Sequence, residues 1–259
     1  VPTILAEDLS EGFLLLSDLG RQTYLDVIDS DNADELFGDA MNTLLLLQQT
    51  PVPAGCPEYS PELLMRELEL FPQWYVKEHL QQPVEGELLA ILRPLFTQLV
   101  EQISMQARVL VHRDYMPRNL MFSQPNPGVI DFQDAVLGPI SYDPACLFKD
   151  AFISWPEERV LKWLRHYWQQ GLAMGLPLPD NFDLFHYDCD LMGVQRHLKV
   201  IGIFARICHR DGKPHYIGDV PRFFDYLDTV AARRVELPLL RELLEYMAPY
   251  RLKGTESTA

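Results

Sequence analysis

Asp114 has a residue type and a sequence position that suit a catalytic group. It lies in a polar stretch, His112–Asn119, that follows the apolar run Val109-Leu110-Val111. This change predicts a loop that begins where a short strand ends. A carboxylate in such a loop can orient or deprotonate a substrate hydroxyl group, which makes Asp114 a candidate general base.

Asn119 and Asp131 complete a group with Asp114. The segment between them contains Ser123–Pro127, which is expected to be a turn that places Asn119 and Asp131 close together on neighbouring strands. An amide oxygen and a carboxylate suit Mg²⁺, which also takes water and phosphate oxygens as ligands. A base, an Asn ligand and an Asp ligand are the parts of a phosphoryl-transfer site, and residues 112–119 match the pattern H-R-D-x-x-x-x-N.

The elements that must position these residues are mostly helical. Before the catalytic segment, the hydrophobic spacing predicts a strand pair between Val1 and Gly20, a helix from Asp34, a helix capped by Ser60, and a helical stretch over Glu85–Ala107 that is interrupted near Arg93-Pro94. The catalytic segment itself is predicted to contain three short strands. After it, we expect a helix over Glu157–Gln170 that begins with a Ser154-x-x-Glu157 capping box, a long helix from about Asp183 to His209, and two further helices. The fold class is therefore α+β with helix dominant.

The catalytic motif also carries a family resemblance. His-x-Asp-x-x-x-x-Asn followed by Ile130-Asp131-Phe132 resembles the aminoglycoside phosphotransferase and choline kinase group of small-molecule kinases. Gln133 stands where protein kinases have Gly, and the later Tyr142-Asp143 dipeptide is also similar to this group. The resemblance implies a protein-kinase-like fold, of which this chain is mostly the helical C-terminal lobe.

Two later segments resemble a narrower group. The runs Met192–Arg206 and Arg210-Asp211-Gly212-Lys213-Pro214 look like those of the bacterial cell-wall amino-sugar kinases. Those enzymes phosphorylate the anomeric hydroxyl of N-acetylmuramate and N-acetylglucosamine in peptidoglycan recycling. The resemblance therefore implies a sugar kinase that uses ATP and Mg²⁺.

Roles for individual residues follow from the resemblance. It makes Asp114 the catalytic base, and it makes Asn119 and Asp131 the Mg²⁺ ligands. It also implies that Ser17 and Leu19 belong to a hinge whose backbone binds the adenine edge. Two further carboxylates have supporting roles, Asp134 beside the metal and Asp143 as a structural bond to the catalytic loop. His112 is expected to brace that loop.

The resemblance also implies three regions. Residues 1–20 correspond to the hinge and the last strands of an incomplete N-terminal lobe, since neither the phosphate-covering loop nor the ATP-binding lysine of such kinases is recognisable in the chain. We would then expect weak ATP binding by these 259 residues alone. Residues 21–250 form the catalytic and substrate lobe, and residues 251–259 form a flexible tail.

Three cationic residues on the predicted long helix are candidates for binding the acceptor. Arg196, Lys199 and Arg206 are spaced by three and seven residues and so share a helix face. They could bind the lactyl carboxylate of N-acetylmuramate, or they could simply be solvated. Four aromatic residues are expected to pack in the core rather than to stack on a sugar ring, namely Trp155, Trp163, Tyr167 and Trp168.

The composition restricts the partners. A net charge of −15 argues against nucleic acid, whose phosphates require a basic surface. No apolar run is long enough to span a membrane and no secretory signal is visible, so a cytoplasmic location is expected. The four cysteines (Cys56, Cys146, Cys189 and Cys208) are widely spaced and predict reduced thiols in the core rather than disulfides. The oligomeric state stays open.

Two alternative functions remain at this point. One is a kinase of the same family for an aminoglycoside or choline, which would favour an acidic pocket over a cationic one. The other is a non-catalytic pseudokinase, which the complete Asp114, Asn119 and Asp131 set opposes.

Overall fold

The structure is a computed structural model that describes residues 1–251. Its strands are β1 (Ile4–Asp8), β2 (Phe13–Leu16), β3 (Arg108–Val111), β4 (Leu120–Met121), β5 (Gly128–Val129) and β6 (Val136–Pro139). Its α-helices are α1 (Tyr24–Val27), α2 (Ala33–Gln49), α3 (Pro61–Leu68), α4 (Gly86–Ser104), α5 (Tyr142–Phe148), α6 (Glu157–Ala173), α7 (Phe182–Asp211), α8 (Val220–Arg233) and α9 (Pro238–Arg251). A π-helix covers Phe71–His79, and two 3₁₀-helices cover Pro117–Asn119 and Pro214–Asp219.

The chain divides into two compact units. The first comprises Val1–Glu58 and Ala107–Phe182, and the second comprises Tyr59–Gln106 and the chain from Asp183 onward. The predicted region boundary at residue 20 stays a prediction. The predicted tail at residues 251–259 lies outside the described residues except for Arg251, which ends α9.

The first unit carries all three strand pairs. β1 pairs with β2, β3 with β6 and β4 with β5, each pair antiparallel. Every residue of β1 and β2 is exposed, whereas β3, β4 and β5 are largely buried. Helices α2 and α6 and strand β3 form the body of this unit around aromatic side chains. The fully buried ones are Tyr24, Phe37, Tyr115, Tyr142, Phe148 and Tyr167.

The second unit is built from helices. Its core contains Phe71, Phe185 and Phe223, all of which are fully buried. In α7, Gly202 allows the closest backbone approach, because a Cβ at this position would lie 2.4 Å from the backbone carbonyl oxygen of Leu70. The two segments therefore pack backbone against backbone.

Most of the predicted elements are confirmed, but two details are wrong. Helix α4 continues through Pro94, because Pro94 lies on its exposed side while Leu92 and Leu95 on either side of it are buried. Helix α6 begins at Glu157 with Pro156 as its N-cap residue, so Ser154 does not cap it. The prediction missed β6, whose residues pair with β3 from the far side of the catalytic segment.

The predicted core position of the cysteines is right for Cys146 and Cys189, which are buried, and wrong for Cys56 and Cys208, which are partly exposed. None of the helices described between residues 1 and 251 has the length and apolar character needed to cross a bilayer.

Candidate active site

The catalytic loop follows β3 and is held by a carboxylate from α5. Asp143 is fully buried, and its two oxygens accept hydrogen bonds from the backbone N–H groups of His112 at 2.8 Å and Arg113 at 3.0 Å. Arg113 has a φ of 75°, in the left-handed region that a non-glycine residue seldom occupies. The paired hydrogen bonds stabilise this strained turn. This is the structural contact that the sequence predicted for Asp143.

His112 braces the same loop from the inside. Its Nε2 lies 3.0 Å from the carbonyl oxygen of Ile130, and its Nδ1 accepts a hydrogen bond from the backbone N–H of Asp114 at 3.3 Å. These contacts assign the proton to Nε2. Burial lowers the pKa of His112, although the Asp114 carboxylate partly opposes this effect. The imidazole is therefore neutral at pH 7 and links the Asp114 loop to Ile130, the residue that precedes Asp131.

Asp114 is held by its backbone, which leaves its side chain available. Its N–H donates to His112, and its carbonyl oxygen accepts from the backbone N–H of Met116 at 3.0 Å and from Nδ2 of Asn119 at 2.9 Å. Within residues 1–251, no hydrogen bond or ion pair engages the Asp114 carboxylate, which is half-buried. A carboxylate fixed at its backbone but free at its oxygens can accept a proton from a substrate hydroxyl.

Asn119 and Asp131 face each other across the β4–β5 hairpin. The register pairs Leu120 with Val129, and the backbone N–H of Ile130 donates to the carbonyl oxygen of Asn119 at 3.2 Å. As predicted, the two side chains meet, with Nδ2 of Asn119 3.2 Å from Oδ2 of Asp131. Asp131 has a φ of 66°, a second strained position at this site.

This pair fits a divalent cation. Because Nδ2 of Asn119 donates to Asp114 and Asp131, the amide oxygen Oδ1 is left as an acceptor, and the exposed Asp131 supplies carboxylate oxygens. Residues 1–251 contain no group of three or more His, Cys, Asp or Glu side chains that could hold a metal ion. Such a two-residue oxygen site suits Mg²⁺, which completes its shell with water and phosphate oxygens.

Asp134 is exposed, and its backbone carbonyl accepts a hydrogen bond from Arg113 at 3.4 Å. Its suggested role beside the metal stays a prediction.

The predicted hinge runs beside the β4–β5 hairpin. Ser17 exchanges two hydrogen bonds of 2.8 Å with Thr3, in which the Ser17 N–H donates to the Thr3 carbonyl and the Thr3 N–H donates to Ser17 Oγ. A nucleotide contact at Ser17 would therefore use its carbonyl oxygen. The Leu19 side chain covers Gly128, since a Cβ at Gly128 would lie 2.9 Å from Cδ1 of Leu19. The structure thus brings Leu19 to the strand that precedes Asp131.

An apolar pocket that the sequence did not predict lies against the catalytic loop. It has a volume of about 570 Å³, and its lining includes His112, Tyr115 and Phe132 together with Leu46 and Leu47 of α2. No local motif marks it, because its walls come from distant parts of the first unit.

The predicted acceptor residues belong to the second unit. Nζ of Lys199 lies 2.9 Å from Oε1 of Glu67, a buried residue that also accepts hydrogen bonds from Tyr59 and Gln195. Arg196 is 2% exposed. The fold therefore neutralises the charge of Lys199 internally and leaves almost none of the Arg196 side chain accessible. Their role in acceptor binding stays a prediction.

Of the four aromatic residues predicted to pack in the core, Trp163 and Tyr167 are buried, whereas Trp155 and Trp168 are only half-buried. Trp163 is 3% exposed, and its ring contacts Phe37, Phe148 and Trp155 edge-on or stacked. These rings form core structure of the first unit.

This fold and this site define a phosphotransferase. Residues 1–184 match the family model described as "Phosphotransferase enzyme family", and the chain belongs to that family. It is 61% identical to "N-acetylmuramate/N-acetylglucosamine kinase" of Pseudomonas aeruginosa over 94% of this chain and 72% of the relative. It is 42% identical to the protein of the same name from Neisseria meningitidis, over 94% of this chain and 74% of the relative.

Solved structures show the same fold at low sequence identity. Choline kinase LicA from Streptococcus pneumoniae is similar with a TM-score of 0.60 and 15% identity, over 89% of this chain and 74% of that one. An ADP-bound aminoglycoside phosphotransferase, APH(2'')-Ib, has a TM-score of 0.55 and 18% identity, over 86% of this chain and 73% of that one. The protein-kinase-like fold predicted from the sequence is therefore confirmed.

Proposed function

We propose that this protein is an ATP-dependent kinase that phosphorylates the anomeric hydroxyl of N-acetylmuramate and N-acetylglucosamine. The names of the relatives at 61% and 42% identity support the two acceptors. The observation that best supports phosphoryl transfer is that Nδ2 of Asn119 donates hydrogen bonds to both the Asp114 carbonyl oxygen and the Asp131 carboxylate. One amide thus fixes the spacing between the candidate base and the candidate metal ligands.

Asp114 would bind the acceptor hydroxyl and take its proton. In phosphoryl transfer the transition state is largely dissociative, so positioning of the nucleophile matters more than the strength of the base. The Asp114 carboxylate meets this need, because its backbone is fixed by His112 and Asn119 while no other described residue engages its oxygens.

Asn119 Oδ1 and the Asp131 carboxylate would hold Mg²⁺, which supplies neutralisation of the charge that develops on the transferred phosphoryl group. The Ser17 carbonyl and the Leu19 N–H would bind the adenine edge of ATP. The place of Leu19 against Gly128 of the β4–β5 hairpin supports this assignment.

The test is phosphate transfer from ATP to N-acetylmuramate, N-acetylglucosamine, kanamycin and choline in parallel. We expect transfer to the two sugars only. Phosphorylation at the anomeric position removes the reducing end of the sugar, whereas phosphorylation at any other hydroxyl preserves it. A reducing-end assay of the product therefore tests the position. A product that keeps its reducing end would exclude the anomeric assignment, and transfer confined to kanamycin or choline would exclude the sugars.

A further inference from the structure

Arg118 is the one exposed residue of the short 3₁₀-helix that links the candidate base to the metal pair. Pro117 and Asn119 on either side of it are buried. A 3₁₀-helix has three residues per turn, so side chains of consecutive residues diverge by about 120° around its axis. Since Asn119 points towards Asp114 and Asp131, the Arg118 side chain leaves the loop on a different side.

The guanidinium group of Arg118 lies over an aromatic ring. Its central carbon is 4.9 Å from the centroid of the Phe152 ring. Across residues 1–251, Arg118 has no hydrogen bond and no ion pair. Its five N–H donors are therefore available to a ligand while the ring contact restricts where the group can move.

The aromatic ring itself is held in place. Asp150 is 1% exposed, and its Oδ1 accepts hydrogen bonds from the backbone N–H groups of Phe152 at 2.7 Å and Ile153 at 3.1 Å. This turn follows α5, the helix that also supplies Asp143 to the catalytic loop. The position of the guanidinium group is thus set by the same part of the fold that sets the loop.

An arginine of this kind suits a planar anion, because its fork of N–H groups matches the two oxygens of a carboxylate. Two kinds of anion enter the proposed reaction, the nucleotide phosphates and the carboxylate of the acceptor. The phosphates belong on the side of Asn119 and Asp131, from which Arg118 diverges. In a chain with a net charge of −15, an unpaired guanidinium group four residues after Asp114 in the catalytic segment is a favourable place for an acceptor carboxylate.

We infer that Arg118 binds the lactyl carboxylate of N-acetylmuramate and so determines how strongly this sugar is preferred over N-acetylglucosamine, which lacks that group. The inference rests on the proposed function and assigns a specificity residue to it. It assigns the carboxylate contact to Arg118 in the catalytic loop instead of to Lys199, which forms an ion pair with Glu67.

The test is Arg118→Gln in the full chain, with kcat/KM measured for both sugars. We expect the value for N-acetylmuramate to fall about 10- to 100-fold, as for the loss of a hydrogen-bonded charge pair. The value for N-acetylglucosamine and the KM for ATP should stay within about twofold, because no carboxylate is involved. Activity on N-acetylglucosamine also reports that the variant is folded. Arg118→Lys should retain part of the preference.

Arg165→Gln is the matched control, since Arg165 is also exposed and its guanidinium carbon lies 3.9 Å from the centroid of the Phe182 ring. This substitution should leave kcat/KM unchanged for both sugars. An equal loss for both sugars with Arg118→Gln, or a raised KM for ATP, would overturn the inference and point to a phosphate contact. Unchanged selectivity would overturn it as well. If the longest available version of the unmodified protein phosphorylates neither sugar at saturating ATP, the proposed function itself fails, and the inference fails with it.

Discussion

The Asp143 carboxylate accepts a hydrogen bond from the backbone N–H of His112 at 2.8 Å, and this contact ties the start of the catalytic loop to helix α5. The second Asp143 oxygen accepts from Arg113 at 3.0 Å, so one buried side chain holds two consecutive amides. Asp114 is the next residue. The position of the candidate base therefore depends on a residue that lies in another element and need not touch the substrate.

Asp143→Asn should weaken both the fold and catalysis. An amide group in place of the carboxylate must point its NH₂ at one of the two backbone N–H donors, which leaves that donor buried without a partner. We expect the free energy of unfolding to fall by about 1–3 kcal/mol, and kcat to fall by more than the KM for ATP changes. Urea denaturation and steady-state kinetics measure these effects.

Asp180→Asn is the control for this substitution, because Asp180 is exposed and lies outside the site. It should leave both quantities unchanged. Equal behaviour of the two variants would mean that Asp143 does not hold the loop.

Gly128→Ala should disturb the β4–β5 hairpin. The new Cβ would lie 2.8 Å from Ser123 Oγ and 2.9 Å from Leu19 Cδ1, which are ends of flexible side chains that must move, and 3.3 Å from the Cβ of Met121, which cannot rotate away. We expect a loss of about 1 kcal/mol in the free energy of unfolding, at the low end of the cost of overpacking, together with reduced activity.

Gly38→Ala offers the opposite result as a control. A Cβ at Gly38 in α2 meets no atom within 4 Å, so alanine should stabilise the helix by about 0.5–1 kcal/mol. Thermal unfolding of the two variants compares them directly. A Gly128→Ala protein at least as stable as the unmodified chain would show that the hairpin accommodates a Cβ at this position without loss of packing.

Gly202→Ala should destabilise the second unit strongly. A Cβ there would lie 2.4 Å from the carbonyl carbon and oxygen of Leu70, and backbone atoms cannot rotate away as a flexible side chain can. We expect a cost of about 3 kcal/mol. Gly193→Ala on the same helix meets nothing nearer than 3.5 Å and should be tolerated. Denaturant midpoints that do not separate the two variants would contradict this packing.

Asp188→Asn should stabilise the protein in a pH-dependent way. Burial raises the pKa of Asp188 to about 6, above its unfolded value, so the folded state binds this proton more tightly. Stability is therefore lost as the pH rises from about 4 to 6, and the penalty is complete above pH 6. Because the side chain is partly exposed, we expect Asn to recover about 1 kcal/mol at pH 8 and nothing at pH 4.

The exposed Asp225 in α8 provides the control, since Asp225→Asn should show no such dependence. Urea denaturation at the two pH values measures the effect. A gain from Asp188→Asn that is the same at pH 4 and pH 8 would rule out titration of this carboxyl as the cause.

The parts of the site that could be predicted from the sequence are the local ones. Asp114, Asn119 and Asp131 lie on a short strand–loop–strand segment, so their spacing along the chain largely determines their spacing in the fold. His112 and Asp143 were predicted to hold the catalytic loop in place, and the hydrogen bonds of both residues agree with that prediction.

The parts that could not be predicted depend on tertiary contacts. Periodicity placed Lys199 on a helix face, but it could not reveal that Glu67 of α3 would pair with it. Propensity predicted a break at Pro94, yet the buried leucines on either side of it keep α4 continuous. No sequence pattern marked Arg118 as a binding residue, because its distinguishing features are its contact with Phe152 and the absence of polar partners among the described residues.

The role of Asp114 as the base of a sugar kinase is tested most directly by phosphate transfer from ATP to N-acetylglucosamine, measured for the unmodified protein and for Asp114→Asn. Because the carboxylate has no partner among residues 1–251, the substitution should leave the fold intact and the KM for ATP nearly unchanged. We expect the unmodified protein to form a sugar phosphate without a reducing end, and we expect Asp114→Asn to lower kcat at least about 100-fold. An Asp114→Asn variant that retains full kcat would contradict the assignment of Asp114 as the base.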